Sequence, residues 1–306
     1  MRFVDVKNDV AFRKIFGNEK KTEIIISFLN AVLLLEGDKR IEEVVFVNPY
    51  LLPRIAGEKA SIIDVRAKDL KGRQFVIEMQ MADVNGFAKR VQYYTCRDYS
   101  MQIQSGEKYS LLKPTYFIGI LDFNFFDGSD YLSHHIILNE KTYEHKLKDL
   151  KFTFIELRKF HKEIDELDTP VEKWTFFIKN AKNLDVIPEN TTDEGLIEAY
   201  RRAERYRWDK EELRDYDNAA IAIQDARGRI EAAEQKAEER GMKRGMERGM
   251  KRGMERGIEQ GMEQGVQQGL KLVVTRSYAQ GMSIEAITVI TGLSTAEVHR
   301  IIATIE

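Results

Sequence analysis

The 306-residue chain holds a single cysteine, Cys96, so no internal disulfide framework supports it. No Cys/His cluster has the spacing of a zinc site. No stretch approaches the run of about 18 apolar residues that crosses a bilayer, and the opening MRFVDVKNDVAF lacks the basic-then-apolar layout of a secretory signal. A cytoplasmic protein with no membrane partner is expected. Net positive charge is missing too. At a formal charge of −2, any contact with nucleic acid has to come from a local patch, since the field of the whole molecule does not attract it. Neither a Gly-x-Ser-x-Gly elbow nor a P-loop nor a dinucleotide fingerprint occurs, which removes the support for acyl transfer and for a small-molecule cofactor.

What is present is a chain with 43% apolar and 10% aromatic residues, enough for one sizeable core and a smaller appended region. Residues 8–36 read as two helices, the first capped by Asn8 or Asp9 and stopped at Gly17, the second carrying the apolar stripe Ile24, Ile25, Phe28, Leu29, Val32, Leu33. Strand-like runs follow at 41–50, 60–68 and 74–81, then a helix over 84–105, then runs at 115–123, 132–138 and 151–158. This order predicts an α/β sandwich around a mixed sheet.

The charged residues, 32% of the chain, crowd into the last third. The expected division is a core over 1–195, a charged helical stalk over 196–240, a glycine-repeat segment over 241–270 and a small helix pair over 271–306. In the repeat, glycine returns every fourth residue from Gly241 to Gly269, each followed by Met, Ile, Val or Leu. Four residues turn an α-helix through about 400°, so the glycine stripe winds around it at roughly 40° per repeat. Each glycine costs about 1 kcal/mol of helix propensity relative to alanine. Close packing against another helix would compensate that cost, and a flexible tether is the alternative; self-association into a homo-oligomer is the expectation here. In the final pair, Ser283 caps one helix, Gly292 ends it, and Ser294-Thr295-Ala296-Glu297 forms a capping box for the next, whose apolar face is Val298, Ile301, Ile302, Ile305. The pair is helix-turn-helix-like, but it offers only His299 and Arg300 to DNA and reads as a packing module.

The chemistry lies in SIIDVRAKDLKGRQFVIEMQM, Ser61 to Met81. A three-residue hairpin loop, Leu70-Lys71-Gly72, favours glycine at its left-handed last position and pairs Asp69 with Arg73. The same register carried down the hairpin sets Asp64 opposite Glu78, with Gln80 on the face of Glu78. Opposed residues on one face have Cβ atoms about 5 Å apart, so something positive should sit between these like charges. Ile62, Ile63, Val65, Phe75, Val76, Ile77 and Met79 surround them, and a buried carboxylate pair is costly unless a cation compensates it. Two carboxylates, a backbone carbonyl and waters suit Mg²⁺ or Mn²⁺. A hairpin with one wet, acidic face satisfies the spacing equally. His134 and His135 have no ligand spacing and read as structural.

The arrangement Asp64-x13-Glu78-x-Gln80 resembles the PD-(D/E)-x-K nuclease core, with glutamine in the place of lysine. Together with NDVAFRKIFG at 8–17, RVQYYTCRDYSMQI at 90–103 and LLKPTYFIGILDF at 111–123, it resembles the Rpn family of recombination-promoting nucleases, also labelled putative transposases, over roughly residues 1–240. The glycine repeat and the terminal helix pair are similar to tails of that family. The resemblance implies a bacterial protein with a restriction-endonuclease-like α/β core, a mixed sheet flanked by helices, and a long helical C-terminal extension. It implies DNA as partner and hydrolysis of phosphodiester bonds, with Asp64, Glu78 and the Met79 carbonyl on the metal and Gln80 orienting a water. Glutamine brings no positive charge, so that role falls to Lys14, Lys68 or Arg90, or else the enzyme is weak or dead and the chain is an inactive DNA-binding or oligomeric scaffold of the same fold. Asp9 matches the N-terminal motif, as a further acidic group near the metal or as the helix N-cap. On the helix after the core, Arg90 with Tyr94 and Tyr93 with Arg97 fall four apart and can hold DNA, or pack their rings on the sheet.

Overall fold

A computed structural model describes residues 2–51 and 61–304, in two compact units, Met1–Gly228 and Arg229–Glu306. Ala60 and Ile305, assigned above to a strand and to a helix face, lie outside the described residues. Two helices open the first unit, α1 (Asp9–Phe16) and α2 (Thr22–Val32). Asn8 is the cap of α1: its Oδ1 accepts from the N–H groups of Val10 (3.0 Å) and Ala11 (3.4 Å). The cap role offered to Asp9 is therefore filled, and the Asp9 carboxylate is left for other contacts.

Strands β1 (Val44–Phe46), β2 (Tyr50–Leu51), β3 (Ser61–Ile62), β4 (Val65–Asp69) and β5 (Gln74–Gln80) follow. The run expected over 60–68 is thus two strands broken at Ile63 and Asp64. Next come α3 (Phe87–Ser100), β6 (Thr115–Leu121), β7 (Leu132–His135) and β8 (Leu150–Glu156). The six-stranded sheet runs β1-β4-β5-β6-β8-β7, while β2 and β3 pair separately. Pairs β5–β6 and β6–β8 are parallel and the rest antiparallel, so the sheet is mixed, as expected. At the β4–β5 hairpin Gly72 takes φ of 79°, and the Asp69 N–H donates to the Arg73 carbonyl at 3.1 Å. Glycine carries that left-handed φ without the strain a side chain would add.

Period-two alternation divides the sheet's side chains between two cores. Val65, Ala67, Phe75, Ile77 and Met79 join Phe12, Phe16, Phe28 and Trp174 in the larger one. Val76, Phe117 and Phe154 meet Phe87 and Val91 of α3 in the smaller. Helices α4 (Pro170–Asn180) and α5 (Glu194–Ala203) complete the larger layer. This is the α/β sandwich of a PD-(D/E)XK-like core.

The compact unit does not stop at residue 195. Tyr200, Ala203, Trp208 and Tyr216 are buried in the larger core, and the Asn8 amide donates to the Tyr216 carbonyl at 3.1 Å. Aromatic side chains embedded among the charges draw α5 and the first turns of α6 (Lys210–Ala279) onto the sheet layer. Past Gly228, α6 is helical throughout the glycine repeat, whose residues from Gly241 to Gly269 are exposed. Every glycine from Gly241 to Gly269 would accept a Cβ with nothing within 4 Å. Helices α7 (Ile284–Thr291) and α8 (Thr295–Ile302) have the expected Ser283 cap, Gly292 stop and Ser294–Glu297 capping box, and they close a small core of Val274, Ile287, Val298 and Ile302. Among the described residues, no helix is long and apolar enough to cross a membrane.

Candidate active site

The side chains of β5 at even positions face α3, which puts Glu78 and Gln80 on that side. The ladder pairs Val65 with Ile77. Asp64, in the bend that precedes β4, therefore continues that register beside Glu78. A backbone group locks the juxtaposition: the Met79 N–H donates to Asp64 Oδ2 at 2.9 Å.

Glu78 is 8% exposed. Its Oε1 is buried without a hydrogen-bond partner among the described residues. Burial, and then the charge of Asp64, push the Glu78 pKa up to about 8 from its ordinary 4.5, although Arg90, the Asp64 N–H and Arg13 pull the other way. Asp9, at the start of α1, is also raised, first by burial and then by Asp64, against the pull of Arg13. The charge of Asp64 thus acts against both Asp9 and Glu78 at this end of the sheet.

The positive group that such a cluster requires is Arg13, one turn beyond Asp9 on α1. Its Nε and Nη2 donate to Asp64 Oδ1 at 3.0 and 2.8 Å. Its own pKa is raised by Asp64, Asp9 and Glu78, which outweigh the opposing effect of burial. Sequence reasoning missed this residue and favoured its neighbour. Lys14 points elsewhere, to Glu212 and to the Trp208 ring at 4.3 Å, where it ties α1 to α6. The available signal was the four-residue spacing of Asp9 and Arg13, which places both on one helix face.

Gln80 turns toward α3. Its Oε1 accepts from Arg90 Nη2, and its Nε2 donates to the Ala82 carbonyl at 3.2 Å. Arg90 lies 5.4 Å from the Phe87 ring centroid, a cation–π contact. Below, the buried pair Arg66–Asp98, joined Nε to Oδ1 at 2.9 Å, fastens α3 to the sheet. Of the three cations considered for the missing lysine, only Arg90 reaches this end; Lys68 is exposed, opposite Gln74 at the hairpin end of β4. A groove of about 450 Å³ opens beside Arg90, lined also by Val84, Phe87, Lys89, Tyr93 and Tyr94. Tyr93 is held by Arg97, whose Nη1 donates to its hydroxyl at 2.8 Å. His134 and His135 bond to Thr153 and Ser133, each at 3.0 Å, in structural roles.

Among the described residues no group of three or more His, Cys, Asp or Glu side chains is arranged to hold a metal. The residues nevertheless fit a divalent ion of the hard, oxygen-seeking kind, because a buried carboxylate oxygen without a donor, beside a second carboxylate, is what such an ion satisfies. Residues 6–233 match the family described as PD-(D/E)XK nuclease family transposase. The chain belongs to that family. No curated protein and no solved structure matches it. The family match covers the sheet, both helical layers and the Asp64–Glu78 pair, and it ends before the glycine repeat. The protein is a PD-(D/E)XK nuclease related to transposition, and its hairpin register sets Asp64, in the bend before β4, beside Glu78 on β5.

Proposed function

We propose that this transposase-family nuclease is an endonuclease that hydrolyses DNA phosphodiester bonds with Mg²⁺ or Mn²⁺ held by Asp64, Glu78 and the Met79 carbonyl. The single observation behind this reading is the buried, unpartnered Oε1 of Glu78 beside Asp64. An ion bound there supplies Lewis-acid polarisation of the phosphate and acidifies a water. The Met79 N–H fixes Asp64 Oδ2 and so holds the Asp64 carboxylate beside Glu78. Asp9 adds negative charge from α1. Gln80 can hold a water but carries no charge. Arg90, bonded to Gln80, brings a fixed cation to the place that lysine would occupy, where it can stabilise charge developing on the phosphate. Arg90, Tyr93, Tyr94 and Arg97 offer guanidinium and ring faces to a DNA strand. The biological setting that accords with the Rpn resemblance is DNA recombination in the cytoplasm of a bacterium.

The test is plasmid nicking by the full chain. Cutting should require Mg²⁺ or Mn²⁺, and Asp64→Ala should abolish it while DNA binding by gel shift stays within about twofold, since Asp64 faces the ion and not the strand. Cutting retained in Asp64→Ala rejects the assignment.

A second proposal concerns the repeat. Five of its methionines, Met242, Met246, Met250, Met254 and Met262, are exposed on a helix with open space at every glycine. Exposed apolar side chains beside unobstructed backbone suit a second helix at short distance, so we infer a homo-oligomer formed through this region. Deletion of 241–269 should lower the mass measured by sedimentation, and an unchanged mass excludes the repeat as the contact.

A further inference from the structure

The cluster of Asp9, Asp64 and Glu78 already has a cation against it. Arg13 makes two hydrogen bonds to one oxygen, Asp64 Oδ1, at 3.0 and 2.8 Å, and it is drawn electrostatically to all three carboxylates. The two partners differ in freedom. The Asp64 side chain is 7% exposed, and its other oxygen is held by the Met79 N–H. The Arg13 side chain is 50% exposed and springs from a helix pinned by the buried Ala11, Phe12, Ile15 and Phe16. Arg13 can leave by rotating its own side-chain bonds while α1 stays in place. Asp64 cannot leave.

A divalent ion bound between Asp64 and Glu78 would need Asp64 Oδ1, the oxygen that Arg13 covers, because Oδ2 is engaged by a backbone donor. A guanidinium and a metal ion cannot both neutralise the same oxygen at full strength, and two cations in one poorly hydrated site repel. We propose that Arg13 is the built-in counter-ion of the metal site: it holds Asp64 until a divalent ion displaces it, and the released guanidinium then turns to solvent and pairs with a backbone phosphate of the DNA. This rests on the nuclease reading above. The planar fork that fits a carboxylate fits a phosphate equally, so the hand-over exchanges one charge-assisted pair for another. It also makes metal and DNA binding mutually favourable, because each removes a competitor of the other.

Mn²⁺ titration by calorimetry on the full chain, without DNA, tests the displacement. Arg13→Ala should bind Mn²⁺ roughly five- to tenfold more tightly than wild type, the scale of a charge-assisted pair discounted for the exposure of Arg13. Arg13→Lys keeps the charge but loses the fork, so its affinity should fall between the two. Equal or weaker Mn²⁺ binding by Arg13→Ala, in protein whose thermal unfolding remains cooperative, overturns the proposal. Wild-type affinity in Arg13→Lys, with tightening in the alanine variant alone, also overturns it, because charge without direct competition would then be the cause. Asp64→Ala separates the two levels: if wild type binds Mn²⁺ no better than Asp64→Ala, the metal-nuclease reading itself fails. For the hand-over, fluorescence anisotropy with a labelled duplex should show Arg13→Ala several-fold weaker than wild type in Ca²⁺ and equal to it in EDTA. An equal deficit in both buffers rejects that step.

Discussion

Replacing Glu78 with glutamine tests the electrostatics of the site without any assay of cutting. In the unfolded chain this carboxyl ionises near 4.5, whereas in the fold burial and Asp64 hold it protonated up to about 8. Between those values the folded protein keeps a proton that the unfolded chain has released, so stability falls as pH rises through that window. The slope is about 1.4 kcal/mol per pH unit for one proton, which accumulates to roughly 3 kcal/mol by pH 7. Below the lower value the effect vanishes, and above the upper one it is complete. Glutamine has the same shape and cannot ionise, so Glu78→Gln should lose this slope. A buried amide left without partners costs about 1–3 kcal/mol at every pH, which makes the slope, and not the offset, the quantity to read. The assay is urea unfolding followed by tryptophan fluorescence at pH 5, 6, 7 and 8. Both tryptophans, Trp174 and Trp208, are buried in the first unit, so the signal reports the unit that contains the site. Wild type should lose stability from pH 5 to 8 more steeply than the variant. Millimolar Mn²⁺ should then restore wild type at pH 8 and leave Glu78→Gln unchanged, since the ion takes the place of the proton. Parallel pH profiles for the two proteins would refute the reasoning.

Three further outcomes follow from single contacts. Gln80→Lys places an ammonium against the guanidinium of Arg90 and should slow nicking several-fold instead of improving it, with recovery in the Gln80→Lys/Arg90→Gln double variant; faster nicking by the single variant would show that Arg90 does not fill the lysine position. Gly195→Ala sets a Cβ 2.4 Å from the Glu23 carbonyl oxygen and 2.6 Å from the Ser27 Cβ, which forces α5 away from α2 and should cost about 1–3 kcal/mol or more in thermal or urea unfolding; an unchanged midpoint would contradict that close approach. Alanine at Gly245, Gly249, Gly253 and Gly257 meets no obstacle within 4 Å and should favour the helix by roughly 1 kcal/mol per site, read as a higher helical signal on heating in circular dichroism. The same variant should sediment at lower mass if the repeat self-associates by close backbone approach, and an unchanged mass would reject that geometry.

Much of the architecture was legible in the order of residues because it depends on local rules. The Leu70-Lys71-Gly72 loop sets the β4–β5 register, and that register alone brings Asp64 beside Glu78 and turns Gln80 to the same face. The Ser283 cap, the Gly292 stop and the Ser294–Glu297 box place α7 and α8 within the chain by the same kind of short-range chemistry. Contacts made across long stretches of chain were decided only by the tertiary structure. Nothing near Asp64 in sequence announces Arg13, which lies 51 residues away and reaches it because α1 packs at that end of the sheet. Which of Arg13 and Lys14 faces the acids depends on how α1 is rotated, and that rotation is set by Phe12, Ile15 and Phe16 entering the core. Tyr200, Trp208 and Tyr216 join the first unit for a similar reason: the charge density around them suggests a solvated stalk, but burial of three large aromatic surfaces outweighs it. Spacing along the chain therefore determined which groups can share a strand or a turn, and the packing of helices on the sheet determined which distant charges meet.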